Sequence, residues 1–445
     1  MPRRRKRKKP LPEAAEKAYI ESLSHEGRGV ARLEGKTVFI DGALPGEEVV
    51  FKYTSQQRRY DEGVVVEVLN ASPDRIEPRC AHFGVCGGCS LQHMAPAQQI
   101  AAKQQIMLEH FKHIGGGIVA KEVVEPLTGD LWGYRRKARM GVKFVAKKES
   151  VLVGFREKRS GFLADLKQCD VLHSAVGQKI TALRELIACL SVYNSLPQIE
   201  VAIGDGDVAL IFRHLEPLTE DDLAQLTAFG QTHDIHIYLQ PKGPDSIHLL
   251  WPSRSSLSYR LPEYDLEMRF KPTDFTQVNS SINQKMISRA IEWLDPQPQE
   301  RVLDLFCGLG NFTLPLARKA TYVVGVEGED QLVERGRENA IHNGLSNVEF
   351  YGADLTKEPH EHPWFGSGFD KILLDPPRSG AFDIVKYLPK FGASKIVYVS
   401  CNPATLARDA GVLVSEGYRL KKAGVMDMFP HTTHVESIAL FEKQR

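Results

Sequence analysis

The amino-acid sequence predicts an α/β protein with a doubly wound parallel sheet in its C-terminal part, a small β-barrel near its N-terminus and an α+β region between them. From about residue 271 onward, short apolar strands alternate with helical stretches such as residues 330–343. This alternation is typical of a parallel sheet that helices cover on both faces. Residues 15–70 instead show short apolar runs separated by glycines, which is typical of a small antiparallel barrel.

Length and composition narrow the class of protein. A chain of 445 residues corresponds to two or three domains, and its 42% hydrophobic and 25% charged residues are ordinary for a globular protein. No apolar run approaches the ~20 residues of a membrane-spanning helix, and the basic N-terminus does not lead into an apolar signal segment. We therefore expect no membrane association. The expected organisation is a disordered basic tail at 1–14, the barrel at 15–74, the central region at 75–265 and the doubly wound domain at 266–445.

The cysteine content indicates the redox setting. Seven cysteines are too few, and too odd in number, for a disulfide framework in a chain of this length. A reducing cytoplasm is therefore the expected location, and in it clustered thiols are interpreted as metal ligands and isolated ones as core residues or nucleophiles. Cys189 lies beside the apolar face of a helix predicted over 178–190, so we expect it to be buried.

Two basic regions point to a polyanionic partner. Residues 3–9 are seven consecutive Lys and Arg residues, although the whole chain has a net charge of only +1. Such a run either contacts phosphates or is simply a solvated tail. Five basic or aromatic residues also stand between two predicted barrel strands: Lys52, Tyr53, Arg58, Arg59 and Tyr60. This mixture favours nucleic-acid binding by stacking and charge, with a solvated loop as the alternative.

A glycine turn follows the first strand of the doubly wound domain. The predicted strand 301–305 runs into residues 306–311, which include Gly308 and Gly310. Glycines allow a ligand to approach the backbone closely at this edge of the sheet. A dinucleotide site would need another glycine at position 313, where the chain has Thr313, so a pyrophosphate cradle is disfavoured.

Acidic residues follow the next two strands. Glu327 ends the second strand, where a carboxylate can accept hydrogen bonds from ribose hydroxyls, and Asp354 follows the third. A glycine turn followed in order by these two acids resembles a class I S-adenosylmethionine methyltransferase. The resemblance implies that Glu327 binds ribose, Asp354 the adenine amine, and the turn from Phe306 to Asn311 the methionine portion. The alternative is that Asp354 and Asn311 are ordinary turn residues.

The fourth and fifth strands end in signatures that suggest the chemistry. Asp375 is followed by two prolines and Arg378, and Cys401 stands between Ser400 and Asn402. An aromatic residue in place of Arg378 would suggest methylation of an amino group. Methylation of carbon 5 of a pyrimidine instead needs a thiolate to add at carbon 6, because carbon 5 is otherwise a poor nucleophile. Cys401 is the candidate nucleophile, and Cys307, inside the glycine turn, is expected to be a small packing residue.

This chemistry also needs a base that removes the proton from carbon 5. Three candidates stand near the C-terminus, just before an apolar strand at 438–441. Glu436 can accept the proton, and His431 and His434 are rivals on chemistry alone.

Together these motifs resemble the uracil-5 RNA methyltransferases over essentially the whole chain after the tail. The stretches that carry the resemblance are Asp-Phe-Thr-Gln-Val-Asn at 274–279, the glycine turn, Asp-Pro-Pro-Arg, Ser-Cys-Asn-Pro and His-Val-Glu, all in the family's order. The resemblance implies that Gln277 contacts the cofactor, that Cys401 is the nucleophile and Glu436 the proton acceptor, and that Asp375 lies in the active site.

The central region begins with a cysteine cluster. Cys80, Cys86 and Cys89 lie on a glycine-rich loop with five and then two residues between them, and Cys169 is the leading candidate for a fourth ligand. Four thiolates suit either zinc or an iron-sulfur cluster, and spacing does not separate the two. The family resemblance implies a 4Fe-4S cluster, because the ribosomal RNA members carry one at these cysteines.

The combination of barrel and cluster also narrows the substrate. Residues 15–70 resemble a TRAM domain, and TRAM plus cluster implies the family branch that methylates U1939 of 23S ribosomal RNA. Another ribosomal uridine or a transfer RNA stays an alternative substrate, and we expect a monomer without an obligate protein partner. Two other classes of protein share some of these features. A radical methylthiotransferase would need three and then two residues between its cysteines, and an RNA chaperone would not need Cys401 and Glu436.

Overall fold

The computed structural model describes residues 11–12 and 14–444. The basic run at 3–9 lies outside the described residues. The described residues form two compact units: one contains those up to 102 together with 431–433, and the other contains 103–430 together with 434–444.

The first unit contains a six-stranded barrel. Its strands are β1 (Glu16–Tyr19), β2 (Ser22–Leu23), β3 (Gly29–Leu33), β4 (Lys36–Asp41), β5 (Glu48–Gln56) and β6 (Tyr60–Asn70), in the order β1-β5-β6-β4-β3-β2. Strand β1 pairs with β5 and β2 pairs with β3, with only Ile20 and Glu21 between β1 and β2. One bent segment therefore joins both edges of the sheet and closes it. Its core includes Ile20, Ile40 and Phe51, all fully buried.

The predicted barrel is confirmed, but its purely antiparallel pairing is wrong in one place. Strands β4 and β6 are parallel, whereas the other pairs are antiparallel. The reason is the order of the strands: β4 and β5 run in opposite directions and β6 inserts between them, so a strand antiparallel to β5 is parallel to β4. Gly63 of β6 passes close to a core ring, since a Cβ there would lie 2.4 Å from Phe51 Cδ2.

Helix α1 (Pro96–His113) follows the loop that carries the cysteine cluster. Its buried stripe contains Ile100, Met107 and Phe111, and Lys103 lies on the same stripe at helical spacing. In the described part of the chain, no helix combines the length and the apolar character needed to cross a membrane.

The second unit contains a mixed sheet in the order β13-β12-β11-β10-β8-β9. Its strands are β8 (Lys137–Val145), β9 (Ser150–Gly154), β10 (Gln198–Ile203), β11 (Val208–Arg213), β12 (His236–Gln240) and β13 (His248–Trp251). The helices of this region are α2 (Ser174–Gly177), α3 (Ile180–Cys189) and α4 (Glu220–His233). A hairpin of β14 (Leu257–Leu261) and β15 (Leu266–Phe270) follows the sheet. This confirms the α+β character expected of the central region.

The expectation that Cys189 is buried is wrong. Cys189 is exposed, whereas Ile180, Leu183 and Ile187 of the same helix are fully buried. Cys189 lies two residues after Ile187, about 200° further around the helix, and therefore points away from the buried stripe.

The doubly wound sheet has eight strands in the order β18-β17-β16-β19-β20-β22-β21-β7. They are β7 (Glu122–Val123), β16 (Arg301–Leu305), β17 (Tyr322–Glu327), β18 (Val348–Gly352), β19 (Lys371–Leu374), β20 (Lys395–Ser400), β21 (Tyr418–Met426) and β22 (Glu436–Lys443). Strands β16 to β20 are parallel, which confirms the predicted class I methyltransferase fold. Strand β22 is antiparallel to β20 and to β21.

Helices pack on this sheet. They are α5 (Ser280–Leu294), α6 (Thr313–Ala317), α7 (Asp330–His342), α8 (Phe382–Val385) and α9 (Pro403–Ser415). Short 3-10 turns occupy Ala146–Lys148, Pro244–Ser246, Pro262–Tyr264, Pro359–Glu361 and Leu388–Phe391. The central strands are apolar and fully buried along most of their length, as strands covered on both faces must be. Parallel strands β16, β17, β19 and β20 end at one edge, and antiparallel β22 begins there.

Candidate active site

The glycine turn after β16 has the backbone conformation of a ligand-binding loop. Phe306, Gly308 and Gly310 all have positive φ values, of 63°, 55° and 96°. A positive φ is strained for phenylalanine, and such strain is concentrated at functional sites. A Cβ added at Gly308 would meet no other described atom within 4 Å, so there is open space next to the turn.

Glu327 ties the turn to the end of β17. Its carboxylate accepts hydrogen bonds from the backbone N–H groups of Gly308 (3.0 Å), Gly328 (2.7 Å) and Glu329 (3.1 Å). These contacts fix the position of the carboxylate beside the open space at the turn. The side chain predicted to bind ribose is thus held at the edge of the sheet.

Asp304 lies inside strand β16 and is fully buried. Thr313 donates a 2.6 Å hydrogen bond to its Oδ2, and among the described residues Oδ1 has no hydrogen-bond partner. Burial, together with the nearby charges of Asp375 and Glu327, raises the pKa of Asp304 to about 8. A buried, protonated acid under the turn is compatible with a polar ligand there.

Asn311, at the end of the turn, already has protein partners. Its Oδ1 accepts hydrogen bonds from Tyr259 (2.8 Å) and from Asn283 (3.1 Å), and its Nδ2 donates to Asn283 Oδ1 at 2.9 Å. The side chain therefore anchors the turn to α5 and β14, and the contribution of Asn311 to cofactor binding stays a prediction.

Asp354 follows β18 and is exposed. It accepts hydrogen bonds from the hydroxyl (2.6 Å) and backbone N–H (3.1 Å) of Thr356, and Lys357 lies 3.2 Å away. The Thr356 hydrogen bonds and the Lys357 charge lower the pKa of Asp354 to about 2. The carboxylate is thus ionised and accessible, as an acceptor for an amine must be.

Gln277 and Asp375 meet at the same edge of the sheet. Gln277 Nε2 lies 3.5 Å from Asp375 Oδ2, although they are 98 residues apart in sequence. Burial raises the pKa of Asp375 to about 7, and the charge of Glu327 adds to the effect. The structure therefore brings together the two residues that the family resemblance assigned to cofactor and active site.

Strand register places Cys401 beside Glu436. Ser400 of β20 pairs with Ser437 of antiparallel β22. Cys401, which follows Ser400, therefore stands alongside Glu436, which precedes Ser437. Glu436 is only 9% exposed, and burial, assisted by the charge of Asp375, raises its pKa to about 8. Burial and the nearby Glu436 raise the pKa of the Cys401 thiol to about 11. A thiol and a carboxyl group thus lie next to each other.

Arg378 supplies positive charge at this site. It counteracts the rise in the pKa of Cys401 and of Glu436. Its backbone oxygen accepts a hydrogen bond from Asn402 Nδ2 at 3.0 Å, which ties the loop after β19 to the loop after β20. The guanidinium donates to His434 Nδ1 at 2.9 Å.

The two histidine rivals of Glu436 differ from it in environment. His434 is exposed and engaged by Arg378. His431 belongs to the first compact unit, where its backbone oxygen accepts hydrogen bonds from the N–H groups of Ser90 and Leu91. Of the three candidates, Glu436 is the one that strand register brings next to Cys401.

The cysteine cluster at 80–89 forms a loop in the first unit. Cys80, Cys86 and Cys89 are partly exposed, and the backbone N–H of Gly88 points at Cys86 Sγ, 3.4 Å away. Cys169, also partly exposed, belongs to the second unit. Across residues 11–12 and 14–444, no group of three or more His, Cys, Asp or Glu side chains is arranged to hold a metal ion.

Two buried ionisable residues near the site were not predicted from the sequence. Lys103 and Asp304 are 2% and 0% exposed. A charged residue in the middle of the apolar stripe of α1 was a signal for Lys103. An acid inside the apolar run of β16 was a signal for Asp304. The packing role expected for Cys307 is confirmed, because it is buried against Gly325.

Comparison with known proteins identifies relatives along the whole chain. The sequence profile of the family described as tRNA (Uracil-5-)-methyltransferase matches residues 210–359 and 365–444, and that of the TRAM domain matches residues 17–66. The chain is 56% identical to the 23S rRNA (uracil(1939)-C(5))-methyltransferase RlmD of Alcanivorax borkumensis over 99% of both chains. It is 57% identical to the protein of the same name from Nitrosococcus oceani, over 99% of this chain and 98% of the relative.

A solved structure shares the fold over nearly the whole chain. The tRNA (uracil-54, C5)-methyltransferase of Pyrococcus abyssi, in complex with S-adenosyl-L-homocysteine, superposes with a TM-score of 0.74 and 26% sequence identity. The superposition covers 96% of this chain and 100% of the archaeal chain.

Proposed function

The chain belongs to the tRNA (uracil-5-)-methyltransferase family, and from that membership we propose that it methylates carbon 5 of U1939 in 23S ribosomal RNA, with S-adenosylmethionine as methyl donor. The observation that carries the proposed mechanism is the position of Cys401 beside Glu436 at the carboxyl edge of the sheet. One side chain can add to the pyrimidine and the other can accept a proton, which are the two functions that carbon-5 methylation needs.

The residues at the glycine turn fit the cofactor. We assign the ribose hydroxyls to Glu327, the adenine amine to Asp354 and the methionine portion to the turn between Phe306 and Asn311, with Gln277 and Asp375 flanking it. The open space at Gly308 and the fixed Glu327 carboxylate support this assignment. When bound, S-adenosylmethionine supplies an electrophilic methyl group.

Cys401 acts first. Its thiolate adds to carbon 6 of the uracil ring, and the electron pair of the carbon 5–carbon 6 double bond moves toward the carbonyl at carbon 4. Carbon 5 is now nucleophilic and can take the methyl group. Because the pKa of the thiol is about 11, the thiolate is a minor species at neutral pH, and the positive charge of Arg378 favours it.

Glu436 completes the reaction. It takes the proton from carbon 5, the electron pair of that bond re-forms the double bond, and Cys401 leaves as thiolate. Only the ionised form of the Glu436 carboxyl, whose pKa is about 8, can take this proton, which the carboxyl later loses to water.

Covalent trapping tests the proposal. RNA that carries 5-fluorouridine at the target position cannot lose fluorine to the base, so the enzyme and RNA should stay joined in a stable complex. Cys401→Ala should form no complex, and Glu436→Gln should form it normally. Cys189→Ala, which alters an exposed thiol, serves as the control. A stable complex in Cys401→Ala would contradict the proposed nucleophile.

Mapping 5-methyluridine in a deletion strain tests the substrate. We expect U1939 of 23S ribosomal RNA to lose its methyl group and to regain it when the wild-type gene is restored. The methyl group could instead be lost from another ribosomal uridine, or from a transfer-RNA uridine of the kind named for the Pyrococcus abyssi relative. That uridine would then be the substrate in place of U1939.

We further propose that Cys80, Cys86, Cys89 and Cys169 bind a 4Fe-4S cluster. The donor set is all thiol, and the N–H of Gly88 directed at Cys86 Sγ is a contact that stabilises metal-bound thiolates. Iron and acid-labile sulfide in anaerobically purified protein test this. Both should fall in Cys86→Ser and stay unchanged in Cys189→Ser, and zinc without iron would contradict the proposal.

The barrel is proposed to contact the RNA. Lys52, Arg58, Arg59 and Tyr60 are exposed on or beside the β5–β6 hairpin, and the matched TRAM profile includes them. The basic run at 3–9 would add phosphate contacts. If it does, the salt dependence of RNA binding should be weaker without residues 1–9.

Because the substrate is ribosomal RNA, we propose that the protein works in the cytoplasm, as a monomer.

A further inference from the structure

A buried ion pair lies where helix α1 meets the end of strand β21. Lys103 Nζ is 2.7 Å from Asp427 Oδ1 and also donates to the backbone oxygen of Phe429 at 3.0 Å. The two charged side chains are only 2% and 3% exposed. An ammonium group has three donors, and the described contacts use two of them.

This ion pair lies at the same end of the sheet as Glu436. Met426 of β21 pairs directly with Glu436 of β22, and Asp427 is the next residue after Met426. The charge of Lys103 lowers the pKa of Glu436, while that of Asp375 raises it. The charged or titratable groups around Glu436 are therefore Asp375, Arg378 and Cys401 on the loops after β19 and β20, Asp427 after β21, His434 before β22 and Lys103 on α1.

Stability does not explain the ion pair. The cost of removing two charges from water commonly exceeds the attraction between them, so an apolar pair of similar volume would hold α1 equally well. Burial also favours the neutral form of Lys103, whereas the charge and hydrogen bond of Asp427 and the charge of Glu436 favour the charged form. A buried cation at this position can instead act on the adjacent site through its charge.

We propose that Lys103 is a positioning residue that favours the ionised form of the Glu436 carboxyl beside Asp375, the form that accepts the proton from carbon 5. The inference rests on the proposed function. In the step concerned, the carbon 5–hydrogen bond breaks, the proton moves to Glu436, the electron pair re-forms the carbon 5–carbon 6 double bond, and the Cys401 thiolate leaves. Lys103 touches neither substrate nor thiol and acts only through its charge on Glu436.

The test separates this last step from the earlier ones. Lys103→Met should form the complex with 5-fluorouridine RNA at the wild-type rate, because that complex needs no proton removal. On uridine RNA in a single turnover, the covalent enzyme–RNA species should instead persist, and its decay at about pH 7 should be slower by roughly tenfold or more. Its decay should approach the wild-type rate at about pH 9, because Glu436 then ionises without help.

Two further variants make the result unambiguous. Lys103→Arg keeps the cation and should restore most of the decay rate, and Lys112→Met removes an exposed lysine of the same helix and should have no effect. Slow decay that does not respond to pH, or slow formation of the fluorouridine complex as well, would show a merely structural role and overturn the inference. Failure of the wild-type protein to form any covalent complex would instead overturn the proposed function.

Discussion

Glu436→Gln should stabilise the protein at neutral pH. Burial raises the pKa of Glu436 from its ordinary value of 4.5 to about 8, so the folded protein holds a proton that the unfolded chain releases. A raised carboxyl pKa means that stability is lost as the pH rises from 4.5 toward 8. At about pH 7 the difference of 2.5 pH units from 4.5 corresponds to about 3 kcal/mol. Glutamine cannot ionise and avoids this loss.

Urea denaturation at several pH values checks this magnitude. All four tryptophans, at 132, 251, 293 and 364, belong to the unit that contains Glu436, so their fluorescence reports on its unfolding. The stability of Glu436→Gln and wild type should be similar near about pH 4.5 and should diverge as the pH rises. Glu416→Gln, which changes an exposed carboxylate at the end of α9, is the control. A difference between Glu436→Gln and wild type that is the same at every pH would refute the reasoning.

Three further changes have distinct expected results. Arg378→Met should slow formation of the fluorouridine complex by roughly tenfold, because it removes the positive charge that favours the Cys401 thiolate. Gly63→Ala should destabilise the barrel by about 1–3 kcal/mol, since its Cβ would overlap the Phe51 ring, and faster hydrogen exchange in β5 and β6 would reveal it. Asp409→Ala should cost about 3 kcal/mol in urea denaturation, because it removes the buried acceptor of the Tyr398 hydroxyl, 2.7 Å away.

Each of these three changes has a matched control. Arg419→Met removes an exposed arginine from β21 and should leave complex formation unchanged. Gly161→Ala adds a Cβ where no described atom lies within 4 Å, so its barrel exchange should match wild type. Asp383→Ala changes an exposed carboxylate on α8 and should leave the urea midpoint in place. Equal effects in a variant and its control would contradict the contact on which the prediction rests.

The doubly wound sheet was predictable because its signals are local. Parallel strands buried on both faces appear in the sequence as apolar runs, and glycines and acids at their ends mark the ligand edge. Strands such as Lys371–Leu374 therefore stand close to their predicted positions. The parallel pairing of β4 with β6 was not predictable in this way, since it depends on where a later strand inserts and not on any local pattern.

The candidate site was only partly predictable, for a similar reason. Sequence alone left Glu436, His431 and His434 as possible bases, and it is the antiparallel register of β20 with β22 that places Glu436 next to Cys401. Lys103 precedes Glu436 by more than 300 residues, and only tertiary packing brings its charge near that carboxylate. For Cys189 the sequence pattern predicted burial, but the side chain is exposed. A residue at the border of an apolar stripe can face either the core or the solvent.

The pairing of Ser400 with Ser437 also sets which changes in chain length the protein can tolerate. Side chains alternate between the two faces of a strand. Deleting one residue from the start of β22 would therefore make the Glu436 side chain point to the opposite face of the sheet. Deleting two would restore the face but shift the acid along the strand by ~7 Å, out of reach of the thiol. Insertions and deletions can therefore accumulate in the connections of this enzyme, whereas the first residues of β22 admit neither.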